Sequence, residues 1–141
     1  MQESPSYTLH KLVFALDRAA DAMLQEEFNI SYSRALALVM LRDQSGITQH
    51  KLAQALGHTD PAVSAMLAEL AKAGYVTSRV SPTHKRKKSV ELTPKGRELA
   101  DQTHSYLNQR FDALLATAGI DGPQYDRLTK QLYETLIKKE D

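Results

Sequence analysis

The sequence predicts a mainly α-helical chain that contains one small β-hairpin. Apolar residues recur at helical spacing along most of its 141 residues. Near the middle, two short helical patterns are joined by a tight turn with Gly57, which is typical of a helix-turn-helix. The β-rich segments "YVTSRV" and "KSVELT" follow, on either side of the polar loop "SPTHKRK". A helix-turn-helix followed by a hairpin predicts a winged helix-turn-helix.

The first two helices are predicted from apolar spacing and from the residues at their ends. Pro5 is suited to the first turn of a helix that continues to about Glu27. The segment "NIS" interrupts this pattern, and either Ser31 or Ser33 can cap the second helix. Gly46 ends that helix.

The helix-turn-helix is predicted between Thr48 and Gly74. Thr48 is an N-cap for the first short helix, and Gly57 suits the left-handed position at its end. The second short helix can be capped by Thr59 or Asp60. Its predicted buried face consists of Val63, Leu67 and Leu70.

Two longer helices are predicted after the hairpin. Thr93 is a suitable N-cap and Pro94 a suitable first residue for a helix that reaches about Ala118. The segment "GIDGPQ" ends it, and a last amphipathic helix follows.

Composition argues against several classes of protein. There is no cysteine, so disulfides and thiolate metal sites are excluded. No apolar run reaches the length of about 20 residues that a membrane span needs, and Glu3 stands where a secretory signal is basic. A cytoplasmic protein without membrane contact is therefore expected. The five histidines lack paired metal spacing, and no phosphate loop or nucleophile motif is present, so we expect no metal, no cofactor and no enzymatic activity.

The net charge of +1 conceals an uneven distribution. Residues 47–97 carry nine basic and three acidic side chains, a balance of +6, whereas the remainder carries a balance of −5. Four of the basic residues, at 85–88, form an unbroken run at the end of the hairpin loop and the start of the strand that follows. This pattern indicates that the middle of the chain meets a polyanion.

The segments "ITQHKLAQALGHTDPAVSAMLAELAKAGYVTSRV" and "VELTPKG", with the basic loop between them, resemble the MarR family of bacterial transcriptional regulators. The resemblance covers nearly the whole chain. It implies a single domain over residues 1–141, with a winged helix-turn-helix core at about 31–97. It also implies dimerisation helices at about 5–28 and 94–139.

The resemblance implies a homodimer that binds palindromic double-stranded DNA and represses transcription. It further implies release from DNA by a small aromatic or phenolic effector. An alternative is a protein-interaction module whose basic wing binds an acidic partner.

Two positions depart from the family pattern. Family wings usually carry an Asp that orients an Arg by a salt bridge, and the equivalent position here is His84. Many relatives carry a long polar residue after Val-Ser in the recognition helix, where this chain has Ala65. These departures predict a more purely electrostatic DNA contact.

Candidate DNA-binding residues lie in both helices of the helix-turn-helix and in the wing. They are Gln49, His50, Thr59, Asp60, Ala62, Ser64, Ala65, Arg79, Lys85, Arg86, Lys87 and Lys88. Asp60 can instead serve as a cap, and Arg79 can form a structural salt bridge. Arg86 is the candidate for a narrow minor groove. The basic run as a whole could also be an ordinary solvated charge cluster.

The flanking helices supply two further sets of candidates. The resemblance implies an effector pocket between the dimer helices and the winged domain. Its candidate residues are His10, Tyr32 and Arg34, which fall near the junction of the first two helices with the DNA-binding part. The terminal helices carry more apolar surface than so small a core can bury, although packing within the subunit is the alternative. The candidate dimer residues are Tyr7, Leu9, Leu12, Val13, Leu128, Leu132, Leu136 and Ile137.

Overall fold

The computed structural model describes residues 3–80 and 88–140. Within them it contains six α-helices and one antiparallel pair of β-strands, which confirms the predicted mainly helical fold with a hairpin wing. The elements in chain order are α1 (Pro5–Phe28), α2 (Tyr32–Asp43), α3 (Gln49–Leu56), α4 (Asp60–Lys72), β1 (Val76–Val80), β2 (Lys88–Leu92), α5 (Pro94–Ala118) and α6 (Gly122–Glu140).

Hydroxyl side chains begin the first four helices. Each accepts a hydrogen bond from the backbone N–H three residues later, which satisfies one of the free amides of the first turn. The capping residues are Ser4, Ser31, Thr48 and Thr59, and each oxygen lies 3.2 Å from the amide nitrogen. The structure thereby settles two choices that the sequence left open, because Ser33 and Asp60 do not occupy the cap positions.

The core of the first compact unit lies among α1 to α4, the wing and the beginning of α5. This unit ends at His104. Its largest fully buried side chains are Leu24, Leu38, Leu41, Leu52, Val63, Val90 and Thr103. The buried hydroxyl of Thr103 donates to the backbone oxygen of Leu99 at 2.9 Å, so this polar group is satisfied inside the core.

The wing strands pair in register from Val76 opposite Leu92 to Val80 opposite Lys88. The sheet is also attached to the segment before α3, because the N–H of Val90 donates to the oxygen of Ile47 at 3.1 Å. Since Val76 and Val90 are buried, the hairpin is anchored on the helix-turn-helix by its apolar face.

The wing and α5 are joined by a closely packed connection. The hydroxyl of Thr93 accepts from the N–H of Gly96 at 3.0 Å, and it donates to the backbone oxygen of Gly74 at 2.6 Å. A Cβ atom at Gly96 would lie only 2.0 Å from the backbone oxygen of Tyr75. The Thr-x-x-Gly motif therefore serves close packing of α5 against the chain that enters β1.

The second compact unit begins at Ser105 and contains the end of α5 together with α6. The rings of Phe111 and Tyr125 meet edge to face, with centroids 5.6 Å apart and an interplanar angle of 72°. Gly119 ends α5 with a φ of 71°, and the N–H of Ile120 returns to the oxygen of Leu115 at 2.9 Å.

Candidate nucleic-acid interface

Helix α4 presents a free surface beginning at its first turn. Val63, Leu67 and Leu70 are buried on the core side, as the apolar spacing predicted. The five recognition-helix candidates are exposed, namely Thr59, Asp60, Ala62, Ser64 and Ala65. This surface consists of short side chains, so it offers few hydrogen-bonding groups that reach far from the helix.

The side chain of Asp60 pairs with a histidine, a contact that the sequence did not predict. Its two carboxylate oxygens each lie 3.1 Å from Nδ1 of His50, the second residue of α3. The interpretation of Asp60 as a helix cap was wrong, because Thr59 caps α4 and Asp60 is the first helical residue. An acidic side chain in this first turn still interacts favourably with the helix dipole.

The other candidate on α3, Gln49, is half-buried at the first helical position, whereas His50 is exposed. The two helices of the motif thus bring one candidate from each, His50 and Asp60, into direct contact. Ser64 is exposed on α4, and its hydroxyl is available for a hydrogen bond to an incoming ligand.

The wing contributes Arg79 from β1. Its Nε lies 3.6 Å from a carboxylate oxygen of Glu91 on β2, so Arg79 forms the cross-strand salt bridge that was the alternative to a phosphate contact. Arg79 nevertheless remains largely exposed. Lys88 is the first residue of β2, while His84, Lys85, Arg86 and Lys87 lie outside the described residues.

Two further contacts hold the end of α4. A guanidinium nitrogen of Arg34 on α2 forms an ion pair with Glu69 on α4. Nζ of Lys95 donates to the backbone oxygen of Ala73 at 2.9 Å, and it lies 4.8 Å from the ring centroid of Tyr75. Lys95 therefore caps the carboxyl end of α4, although by sequence it belongs to the basic middle of the chain.

Arg42 links α2 to α5. Its guanidinium donates to Asp101 at 3.0 Å, to Asp43 at 3.1 Å and to Nδ1 of His104 at 2.9 Å. Partial burial disfavours the charged form of Arg42, but the hydrogen bonds to Asp101 and Asp43 outweigh it and raise its pKa above the usual value. No sequence motif indicated this cluster, because its members are up to 62 residues apart.

A cleft of about 500 Å³ lies between α1, α2 and the turn after α3. Its lining residues include Phe14, Asp17, Tyr32 and His58. Burial, with a smaller contribution from the nearby Asp17 carboxylate, raises the pKa of Tyr32 above its usual value of 10. The Tyr32 hydroxyl therefore keeps its proton at neutral pH.

Only one of the three effector-site candidates, Tyr32, lines this cleft. Arg34 lines a different depression, of about 390 Å³, together with Ala62, Ala65 and Glu69. His10 is exposed on α1 and lines neither of these two cavities. Neither of these two cavities in the described part of the chain brings the three candidate side chains together.

The candidate dimer residues are exposed in the single chain. On α1 they form the apolar set Tyr7, Leu9, Leu12 and Val13. On α6 the set is Leu128, Leu132, Leu136 and Ile137, of which Leu132 is 69% exposed and Leu136 is 62% exposed. Apolar side chains of this size are expected to be covered in a stable protein.

The described residues 3–80 and 88–140 contain no group of three or more acidic or histidine side chains placed to hold a metal ion. In the same part of the chain, no helix combines the length and apolar character that a membrane span requires.

Comparison with known proteins agrees with this architecture. The model of the MarR family matches residues 28–87. A search of curated proteins finds no match to the chain.

Solved structures match over nearly the full length. Apo wild-type MarR from E. coli is 24% identical, with a TM-score of 0.81, and the match covers 96% of this chain and 99% of MarR. A DNA complex of S. aureus MepR is 24% identical with a TM-score of 0.77, covering 97% and 99% of the two chains. Another crystal structure of MepR, a transcription regulator of the S. aureus multidrug efflux pump MepA, is 24% identical with a TM-score of 0.71, and the match covers 96% of this chain and 98% of MepR. The MarR family model thus matches the part of the chain that contains α2, α3, α4 and β1, and the solved structures share the fold of the chain over nearly its full length.

Proposed function

We propose that this protein binds double-stranded DNA as a homodimer and represses transcription from a palindromic operator. The observation that carries the proposal is the free surface of α4, with Ser64 and Ala62 exposed, next to a hairpin that leads into the basic run at 85–88. A solved structure of the similar S. aureus MepR contains DNA, which supports the same use of the fold here.

Most of the affinity would come from charge. The net balance of +6 over residues 47–97 favours contact with phosphates, and each phosphate neutralised releases counterions into solution. The lysines and the arginine of the wing loop are the main candidates for these contacts, with Arg86 in the minor groove. Binding would therefore weaken steeply as the salt concentration rises.

Sequence discrimination would come from short side chains and from DNA shape. The Ser64 hydroxyl can donate to a phosphate or a base edge, and the Ala62 methyl can pack on a thymine methyl. Because α4 has no long polar side chain among its five candidates, sequence-dependent deformability of the operator would supply the remainder.

A second copy of the chain would cover the exposed apolar residues of α1 and of α6. A two-fold dimer places two recognition helices about 34 Å apart, which is one turn of DNA. This arrangement matches an operator whose half-sites are repeated as a palindrome.

A small aromatic or phenolic effector would release the dimer from DNA by favouring a conformation with wrongly spaced recognition helices. The cleft that includes Phe14 and Tyr32 offers aromatic walls and a protonated hydroxyl for such a molecule. In the same proposal, the protein acts in the cytoplasm and has no enzymatic activity.

The experiment is selection of genomic fragments by the purified protein at about 150 mM salt, where nonspecific binding is weak. Recovery of a few intergenic fragments that share a palindrome would support the proposal. Absence of any enriched sequence would refute it and favour a protein-interaction module with an acidic partner.

The salt dependence of binding then tests the wing. The logarithm of the affinity should fall with the logarithm of salt concentration with a slope of about −0.9 per phosphate contact. Replacing Lys85, Arg86, Lys87 and Lys88 with Ala should make this slope shallower by about four to seven, because two to four contacts are lost from each of the two wings of the dimer. An unchanged slope would show that the wing does not contact phosphate.

A further inference from the structure

The His50–Asp60 pair fixes where a histidine proton sits on the surface proposed to face DNA. Nδ1 of His50 lies 3.1 Å from both carboxylate oxygens of Asp60. A carboxylate only accepts hydrogen bonds at neutral pH, so Nδ1 must carry a proton. Nε2 is then an acceptor in the neutral ring and a donor in the protonated ring.

This pair controls the charge at the start of the recognition helix. Both side chains are largely exposed, at 65% for His50 and 57% for Asp60. With a neutral His50 the pair carries one negative charge, which repels DNA phosphates. With a protonated His50 the pair is neutral overall and presents an N–H donor to solvent.

Among the charged groups around α3, Asp60 is the one that pairs with His50 and so determines the net charge of the pair. Helix α3 packs against α2, α4 and β2. On α2, Arg42 is bound to Asp43 and Asp101, and on β2, Glu91 is paired with Arg79. Lys51 follows His50 on α3 itself. In the described part of the chain, Asp60 is the charged group within ion-pair distance of the His50 ring.

We propose that DNA binding draws a proton from solution onto His50 in each subunit, whose Nε2–H then donates to a backbone phosphate while Nδ1–H stays on Asp60. This inference rests on the proposed DNA-binding function. It makes Asp60 a positioning residue and makes operator affinity rise as the pH falls through the range in which histidines titrate, about pH 8 to pH 6.

Thermodynamic linkage between proton uptake and DNA binding sets how steeply operator affinity depends on pH. The slope of log affinity against pH equals the number of protons taken up, so two His50 residues in a dimer allow at most a hundredfold change per pH unit. We therefore expect operator affinity to fall by at least about tenfold from pH 6 to pH 8.

The test uses the full-length protein and a duplex of about 30 base pairs taken from the selected fragments, at constant salt of about 100 mM. Fluorescence anisotropy gives the affinity at three pH values for the wild type and for His50→Gln, Asp60→Asn and His10→Gln. His10 is also an exposed histidine, but it lies on α1, so its variant is the matched control for general pH effects. Circular dichroism confirms that each variant is folded.

The proposal predicts opposite behaviour of the two partner variants. His50→Gln should be nearly independent of pH and as weak at pH 6 as the wild type is at pH 8. Asp60→Asn should bind more tightly than the wild type at pH 8, because the repulsive charge is gone, and its pH slope should be shallower. His10→Gln should retain the wild-type slope.

Three other outcomes would overturn the proposal that His50 takes up a proton on DNA binding. A wild-type slope in His50→Gln would show that another group takes up the proton. A parallel loss of affinity in both partner variants at every pH would show that the pair only supports the fold. Failure of the wild type to bind any duplex at any pH would reject the underlying DNA-binding function as well, and so separates the two proposals.

Discussion

Gly96→Ala is the substitution whose effect follows most directly from the structure. The added Cβ would lie 2.0 Å from the oxygen of Tyr75 and 2.9 Å from its carbonyl carbon. Both atoms belong to the backbone and cannot rotate away. The clash can be relieved only by moving the start of α5 away from the chain that enters β1, by more than 1 Å.

The magnitude combines two opposing effects. Overpacking of a well-packed site costs about 1–3 kcal/mol, and more where backbone must move, whereas Gly to Ala inside a helix gains about 1 kcal/mol. The shift also strains the Thr93 contacts with Gly74 and Gly96, which are each worth about 1 kcal/mol. We expect a net loss of about 2–4 kcal/mol in the free energy of unfolding.

Thermal and urea denaturation measure this loss, and the protein concentration is held fixed because the melting temperature of the proposed dimer would depend on it. A loss of this size lowers the melting temperature by about 8–16 °C in a chain of this length. Gly122→Ala is the matched control. It adds the same methyl group at the start of α6, where the nearest atom is Leu115 Cδ1 at 3.8 Å, and it should be neutral or slightly stabilising. Equal melting temperatures for the two variants would refute the packing argument.

Two further predictions concern the junction at α2 and the apolar face of α6. Arg42→Met should destabilise the protein by about 1–2 kcal/mol in urea denaturation, because the half-buried guanidinium bonds Asp101 and His104, and a loss below about 0.5 kcal/mol would contradict this. Replacing Leu132 and Leu136 together with Ser should raise the dimer dissociation constant at least about a thousandfold in sedimentation equilibrium, since four large side chains per dimer would lose burial. Gln131→Ser on the same helix is the control, and dimers of unchanged affinity in the Leu132 and Leu136 variant would exclude this face from the interface.

Features set by local chemistry were predictable from the sequence. Thr48 caps the start of α3, Gly57 follows its last residue with a φ of 70°, and Thr93 precedes α5, each as expected. Capping depends on side chains within three or four residues, and a left-handed position depends on a single residue. Alternation of apolar residues likewise identified both wing strands, because Val76 and Val90 face the core.

Features set by the packing of distant segments were not predictable. The ion pair of Arg34 with Glu69 joins residues 35 positions apart, and the pair of His50 with Asp60 crosses a turn. Each side chain alone resembles an ordinary exposed polar residue, and only the relative placement of two helices brings the partners together. The effector-site candidates Tyr32 and Arg34 illustrate the same limit, since neighbours on one helix line different cavities.

The pairing of His50 with Asp60 also indicates which residues of the proposed DNA contact supply affinity and which supply specificity. The exposed start of α4 offers methyl groups, one hydroxyl on Ser64 and a carboxylate that His50 already engages. Such a surface can exclude bases of the wrong shape but can attract DNA only weakly. In the proposed function the attraction comes from the basic residues of the wing, and the proton that we propose on His50 adds to it. Variants of the wing should therefore weaken binding to all DNA sequences alike. Variants of Ser64 should instead alter the order of affinity among operators, with little change in the salt dependence of binding.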